Sequence, residues 1–210
     1  MAAKIAGAAA VLLLLAPAAR AQDRYGAQTA LERASGLVLS LRALAGGTSV
    51  ASGPEIFDQG GLLFGAEGDL LVRQPSFEVG VGAGLGGISS ASVVGRSQLL
   101  YASAGKLGQA AKGTYYLRVE GGAHHLINIA WKPGVVDELN GRTRHDVGSA
   151  WLPFAGAHAG LLFANPDSID FGLGVFARFD LGRADRNGTD QIGGYLIGFE
   201  LRIDGMPLHF

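Results

Sequence analysis

The sequence predicts an all-β chain: a closed, antiparallel, up-and-down barrel of about eight strands that crosses a membrane. Three observations predict it. Apolar and polar side chains alternate with period two through eight segments. The connections between those segments alternate between short and long. After residue 21, glycine, proline or charge interrupts every apolar stretch well before the roughly 20 residues that a spanning helix needs.

Residues 1–21 read as a secretory signal that is removed. Lys4 supplies the positive start, Ile5 to Leu15 form a short apolar run, Pro17 breaks it, and Ala19-Arg20-Ala21 has the small-x-small cleavage pattern. Residues 22–35 are expected to form an N-terminal periplasmic segment, and 36–210 the barrel. Without Lys4 and Arg20, the 17 basic residues become 15 against 18 acidic ones, a net charge near −3. No basic run or stripe is present to neutralise phosphates, so nucleic acid is not expected as a partner. The chain has no cysteine, which excludes disulfides, thiolate chemistry and a lipidated N-terminal cysteine.

The segments follow in order. Leu37, Leu39, Leu41 and Ala43 alternate with Val38, Ser40 and Arg42. Leu62, Phe64, Ala66, Leu70 and Val72 oppose Gly65, Glu67 and Asp69, and Phe77, Val79, Val81, Ala83 and Leu85 oppose Glu78 and four glycines. A fourth segment, Arg96 to Ala104, is ambiguous because Leu99 and Leu100 compete for one face. Tyr115, Leu117 and Val119 then oppose Tyr116, Arg118 and Glu120. Trp151 to Phe163 is the weakest pattern, with Phe154, His158 and Leu162 set against Ala155, Ala157, Leu161 and Phe163. Ile169, Phe171, Leu173, Val175, Ala177 and Phe179 face away from Asp170, Gly172, Gly174 and Arg178. Last, Tyr195, Ile197, Phe199, Leu201 and Ile203 face away from Gly198, Glu200 and Arg202. Residues 73–76 and 165–168 carry the Pro and Asx residues of tight turns, whereas 46–58, 132–149 and 180–191 are long polar connections.

Eight alternating strands also suit a soluble, lipocalin-like barrel with its apolar faces around a ligand cavity. The polar faces favour the membrane reading. Arg42, Glu67, Asp69, Glu78, Arg118, Glu120, Asp170, Arg178, Glu200 and Arg202 carry both signs of charge and alternate with glycine, as a paired network filling a narrow lumen would. The opposite faces carry Leu, Val, Ile, Phe and Tyr, and only three lysines follow residue 21, too few for a soluble exterior.

With these segments, turns and signal, the chain resembles the small eight-stranded bacterial outer-membrane β-barrels, of the type represented by the transmembrane domain of outer-membrane protein A. The resemblance covers roughly 36–210. It implies a Gram-negative outer-membrane location, contact with outer-membrane lipid and lipopolysaccharide, and a C-terminal aromatic, here Phe210, read by the barrel-assembly machinery. Met206, Leu208 and Phe210 fall on the opposite parity from Ile203, so Asp204-Gly205 must hold a bulge or turn.

Candidate chemistry is sparse, and neither enzyme activity nor a cofactor or metal is expected. Gly82-Ala83-Gly84-Leu85-Gly86-Gly87 has dinucleotide-fingerprint spacing but no following helical pattern; glycines making room for large lumen side chains explain it better. Asp185 to Asp190 resembles a calcium loop, but Asn187-Gly188 reads as a hairpin turn. His124, His125 and His145 flank the longest loop with Asp146 and Ser149, a set that would suit a metal or a lipid-modifying hydrolase, but ordinary polar loop residues near an interface explain it better. Trp131, Trp151, Tyr115, Tyr116 and Phe154 read as an interfacial aromatic girdle. The expected function is structural: a charge-filled barrel presenting surface loops, with 132–149 offered to an extracellular partner. A narrow, porin-like passive pore and the hydrolase are the alternatives.

Overall fold

The computed structural model describes residues 35–52, 61–90, 93–110, 113–132, 136–137, 142–143, 146–163, 170–186 and 190–205. The expected signal, nearly all of the periplasmic segment, and Phe210 lie outside the described residues. The described residues form eleven strands: β1 (Gly36–Ser52), β2 (Gly61–Arg73), β3 (Phe77–Ser90), β4 (Val93–Ala110), β5 (Gly113–Trp131), β6 (Val136–Asp137), β7 (Arg142–Thr143), β8 (Asp146–Phe163), β9 (Asp170–Asp180), β10 (Ala184–Arg186) and β11 (Asp190–Asp204). Eight of them, β1, β2, β3, β4, β5, β8, β9 and β11, pair in that order and close through β1–β11. The short β6 and β7 pair only with each other, and β10 extends the end of β11 above β9.

The register fixes the barrel's shape. The row of partners starting at Leu39 passes Leu70, Val81, Ala102, Gly121, Ala155, Phe179 and Tyr195, and returns to β1 at Ser49, ten residues from its start. Eight strands about 4.8 Å apart, with about 3.3 Å per residue, then tilt by about 40°. A bore of that size is just wide enough to be filled by side chains.

Alternation decides which side chains fill it. Leu39, Leu41, Phe64, Val81, Leu100, Leu173, Ile197 and Phe199 stand on the outer wall, with Phe199 72 % exposed. Their neighbours of opposite parity line the bore, where Arg118, Arg178 and Arg202 are among the largest fully buried side chains. The soluble, ligand-cavity arrangement is thereby excluded, since it needs the apolar set inside. The fourth segment resolves with Leu99 inward and Leu100 outward.

Several connections are shorter than the composition suggests. β5 runs to Trp131 and β8 starts at Asp146, so the longest connection spans residues 132–145 instead of 132–149. Likewise β1 continues to Ser52, beyond the expected break at Gly46. The upper part of β5 switches faces at a bulge. Asn128 adopts φ 50°, which Asn tolerates better than most residues, and its N–H donates to Ser149 Oγ at 2.9 Å. Leu126 and Ile129 consequently both point into the bore.

Candidate functional site

The bore is stacked in levels, and each level follows from inward parity. At the end carrying the tight β2–β3 turn, Arg202 donates through both terminal nitrogens to the two oxygens of Glu78, at 2.8 Å each, and through Nε to Asp204 at 2.8 Å. Arg73 bonds Glu78 at 3.1 Å and pairs with Asp204. Two cations thus face two carboxylates. Asp170 lies at the rim, its side chain 21 % exposed and 3.8 Å from Arg73, so it stands at the edge of the network.

The next level centres on Arg42. Its guanidinium meets Glu67 at 2.6 Å, Asp69 at 3.0 Å, Glu200 at 3.2 Å and Glu120 at 3.5 Å, and donates to the Tyr101 hydroxyl at 2.7 Å. Arg178 bonds Glu67 at 2.8 Å and pairs with Glu120; Arg118 pairs with Asp69. His158 lies between two carboxylates, 3.0 Å from Glu120 through Nε2 and 2.7 Å from Glu200 through Nδ1. Arg42 Nη1 also lies 3.0 Å from His158 Nδ1. Three guanidiniums and the His158 ring thus face four carboxylates. Tyr116 links the two levels: its hydroxyl donates to Glu200 at 2.6 Å while Arg202 sits 5.0 Å over its ring.

The strands accommodate these groups by giving up side chains opposite them. A Cβ on Gly84 would lie 2.7 Å from Glu67 Cγ, and one on Gly82 would strike Tyr101 and Asp69. Gly87, on the outer face, has nothing within 4 Å. The glycine run of β3 therefore clears space on the bore side, as the packing explanation of its spacing requires.

Above the charged levels the interior changes character. Leu44, Leu63, Ile88, Leu126, Trp131 and Phe176 belong to one buried apolar cluster that occupies the half of the bore nearest the long loops. Trp131, Phe154 and Tyr116 are therefore interior residues and not part of a girdle, leaving Trp151 and Tyr115 on the wall. Near the cluster runs a polar chain: Ser97 Oγ is 2.8 Å from His124 Nε2, His124 Nδ1 is 2.7 Å from Asp180 Oδ1, and the Gly194 N–H donates to Asp180 Oδ2 at 2.8 Å.

That order of hydroxyl, imidazole and carboxylate is a hydrolytic triad by connectivity. It differs from the set the sequence suggests. Ser149 accepts from Asn128 instead, His125 stacks flat on Trp151 at 4.2 Å, and His145 lies outside the described residues. The surroundings of Ser97 argue against turnover. Ser97 is 2 % exposed, and its strand is in register with Gly86 on one side and Leu126 on the other, so the adjacent amides serve the ladder and not an oxyanion. Among the described residues, no group of three or more His, Cys, Asp or Glu is placed to hold a metal.

Comparison with known proteins rests on this architecture. No protein-family model and no curated protein matches the sequence. Among solved structures, the chain is similar to the crystal structure of Neisserial surface protein A, with a TM-score of 0.53 and 13 % identity over 82 % of this chain and 97 % of that one. The chain has the fold of the small eight-stranded outer-membrane barrels. The N-terminal β-barrel domain of Pseudomonas aeruginosa OprF also aligns, at 12 % identity and a TM-score of 0.42, over 80 % of this chain and 96 % of that one. At such identities the likeness concerns the fold alone.

Arg73, Asp204, Tyr101 and Asp180 are interior residues that pattern reading did not assign to the bore, while Tyr116 and His158 were set on the parity that proves inward without being recognised as members of the charged network. Parity finds most of them. Arg73 continues the inward series of Glu67 and Asp69, and Asp204 continues that of Glu200 and Arg202. Arg73 was assigned to the tight turn with Pro75, and Asp204 to a bulge or turn because the parity changes between Ile203 and Met206.

Proposed function

We propose that this chain is an outer-membrane barrel whose bore is closed and whose task is to hold its long connections at the cell surface. The carrying observation is the double filling of the bore, by ion-paired levels in one half and an apolar cluster in the other. A water-filled pore needs a continuous polar path, and the apolar half supplies none. The wall matches the location: its apolar residues suit hydrocarbon, and the long connections 53–60, 132–145 and 181–189 all lie at one end, although the expected alternation of short and long fails at the two-residue connection 91–92, which lies at that end too.

In this reading the connection 132–145 is the main surface element, open to an extracellular partner. The Ser97–His124–Asp180 chain ties β4, β5 and β9 together and does no chemistry. The test is planar-bilayer recording on the refolded full chain, after heat-modifiable migration has verified the closed barrel. A silent bilayer is expected; reproducible unitary conductance steps from the purified protein would refute the closed-bore reading.

A further inference from the structure

The central charged level of the bore has one carboxylate more than it has guanidiniums. Arg42, Arg118 and Arg178 face Glu67, Asp69, Glu120 and Glu200, and each of these side chains is at most 1 % exposed. The level toward the tight turns has no charge to lend, because Arg73 and Arg202 there are matched by Glu78 and Asp204. On the other side stands the apolar cluster. A net negative charge in so dry a place is costly, so the level needs one more positive group. Among the described residues, the remaining base paired with these carboxylates is the His158 ring.

The ring's contacts ask for the same charge. Nδ1 lies 2.7 Å from Glu200 Oε2, a separation that a nitrogen and a carboxylate oxygen reach only with a proton between them. Nε2 lies 3.0 Å from Glu120 Oε2, an oxygen to which no other group of the described residues donates; its next cationic neighbour, Arg42 Nη2, is 3.5 Å away. A neutral ring carries one N–H and would leave a lone pair against one of the two carboxylates. Arg42 does not relieve this. Its Nη1 is 3.0 Å from Nδ1 and 3.3 Å from Nε2, nearly equidistant, which puts it over the ring face and off the in-plane lone pair of either nitrogen. Phe176 of β9 stacks on the ring at 5.9 Å, and Arg118 is the ring's register partner on β5. Behind these groups stand Glu67 and Asp69 of β2 and Tyr101 of β4, all bonded to Arg42, with Arg178 of β9 on Glu120 and Tyr116 of β5 on Glu200.

We propose that closing the barrel binds one proton on the His158 ring, between Glu120 and Glu200, so that closure of the bore is coupled to pH. Loss of that proton leaves a neutral ring between two carboxylates and one unmatched negative charge in the level. The unfolded chain has no such bridge, and its imidazole releases the proton above about pH 6.5. Above that pH the folded barrel holds one proton more than the unfolded chain. The folding equilibrium constant should then fall about tenfold per pH unit until the bridge itself lets go. Below about pH 6.5 both states carry the proton, and the dependence due to this site vanishes. The coupling comes from the contents of the bore and holds whatever the long connections do at the surface.

The test is urea titration of the full, refolded chain in phosphatidylcholine vesicles between about pH 6.5 and 8.5, read as the fraction with folded gel mobility. Glu200→Gln removes the fourth carboxylate, so that a neutral ring suffices, and His124→Gln removes the other buried imidazole. The wild-type equilibrium constant should fall more steeply than that of Glu200→Gln, by about tenfold per pH unit, and His124→Gln should keep the excess. Equal slopes for the wild type and Glu200→Gln overturn the proposal. A second measurement needs no variant. Heteronuclear NMR of the imidazole nitrogens is recorded on the wild type in micelles at about pH 7.5, where a free imidazole is mostly neutral, with the His158 ring assigned through its contact with Phe176. Both of its nitrogens should report an attached proton, and a ring with one protonated nitrogen overturns the proposal.

Discussion

Arg202 offers the sharpest test of the charged bore, because its partners are few and its burial is complete. It is 0 % exposed and makes three hydrogen bonds at 2.8 Å, two to Glu78 and one to Asp204. Arg202→Met removes the cation and leaves Glu78 and Asp204 to share Arg73, an excess of one buried negative charge. Breaking a buried pair from one side costs about 3–5 kcal/mol. The double variant Arg202→Met with Glu78→Leu removes the pair together and leaves Arg73 facing Asp204 alone. Replacing a whole buried pair by apolar side chains is typically neutral to stabilising, by about 1–4 kcal/mol. The single change should therefore destabilise by at least about 3 kcal/mol more than the double. Urea titration of the barrel in phospholipid vesicles, read as the fraction with folded gel mobility, measures both. A single-variant cost below about 1 kcal/mol would mean that water reaches this level and screens the stranded carboxylate. That result would sink the dry, paired lumen and return the pore as the better account.

Three further outcomes follow from the same packing. Gly82→Ala places a methyl against Tyr101 and Asp69 and should cost about 1–3 kcal/mol in the same titration, whereas Gly87→Ala, with open space around it, should be neutral; equal effects would contradict the space-clearing role. Phe199→Arg puts a cation on the lipid face and should cost about 2–4 kcal/mol if Phe199 lies near the midplane; a neutral change would mean that the wall does not face hydrocarbon. Ser97 should resist a fluorophosphonate probe in the folded barrel and Ser97→Ala should fold normally, at a cost near 1 kcal/mol for a lost hydrogen bond; covalent labelling of Ser97, detected by peptide mass spectrometry, would reopen the hydrolase reading.

The sequence carried the fold because period-two alternation runs through most of every long strand, interrupted only near the upper ends of β1, β4 and β5 where the register shifts. Of the ten charges read as lining the bore, nine lie buried inside it and Asp170 sits at its edge. What pattern reading could not supply was level. Leu44, Leu63 and Ile88 belong to the inward faces of β1–β3, yet they occupy a different height from Arg42, Glu67 and Glu78. Height depends on the ten-residue stagger of the closed sheet, a property of the whole register that no single segment contains. The aromatic residues went astray for a related reason. Tyr116 and Phe154 were grouped with Trp151 by sequence neighbourhood, but each lies on the inward parity of its strand. His124 was recognised as chemically notable, while its partners Ser97 and Asp180 sit 27 and 56 residues away on other strands.

The ionic levels also bear on how the barrel closes. Arg42 on β1 finds its carboxylates on β2, β5 and β11, and Arg178 on β9 finds its own on β2 and β5. No contiguous run of half the strands contains these partners, so a partly formed sheet in the bilayer would carry buried charges without their counter-ions. Each stranded group would cost several kcal/mol, which disfavours an inserted but open sheet. Insertion of the wall and closure of the bore should therefore occur together. With Trp131→Phe, Trp151 remains as the sole tryptophan on the wall, and its quenching by brominated lipid reports insertion, while folded gel mobility reports closure. Both signals should rise with one rate constant during refolding into vesicles. Quenching that completes well before the mobility shift would show unpaired lumen charges tolerated in the membrane, and the ion-paired bore would then have no part in enforcing closure.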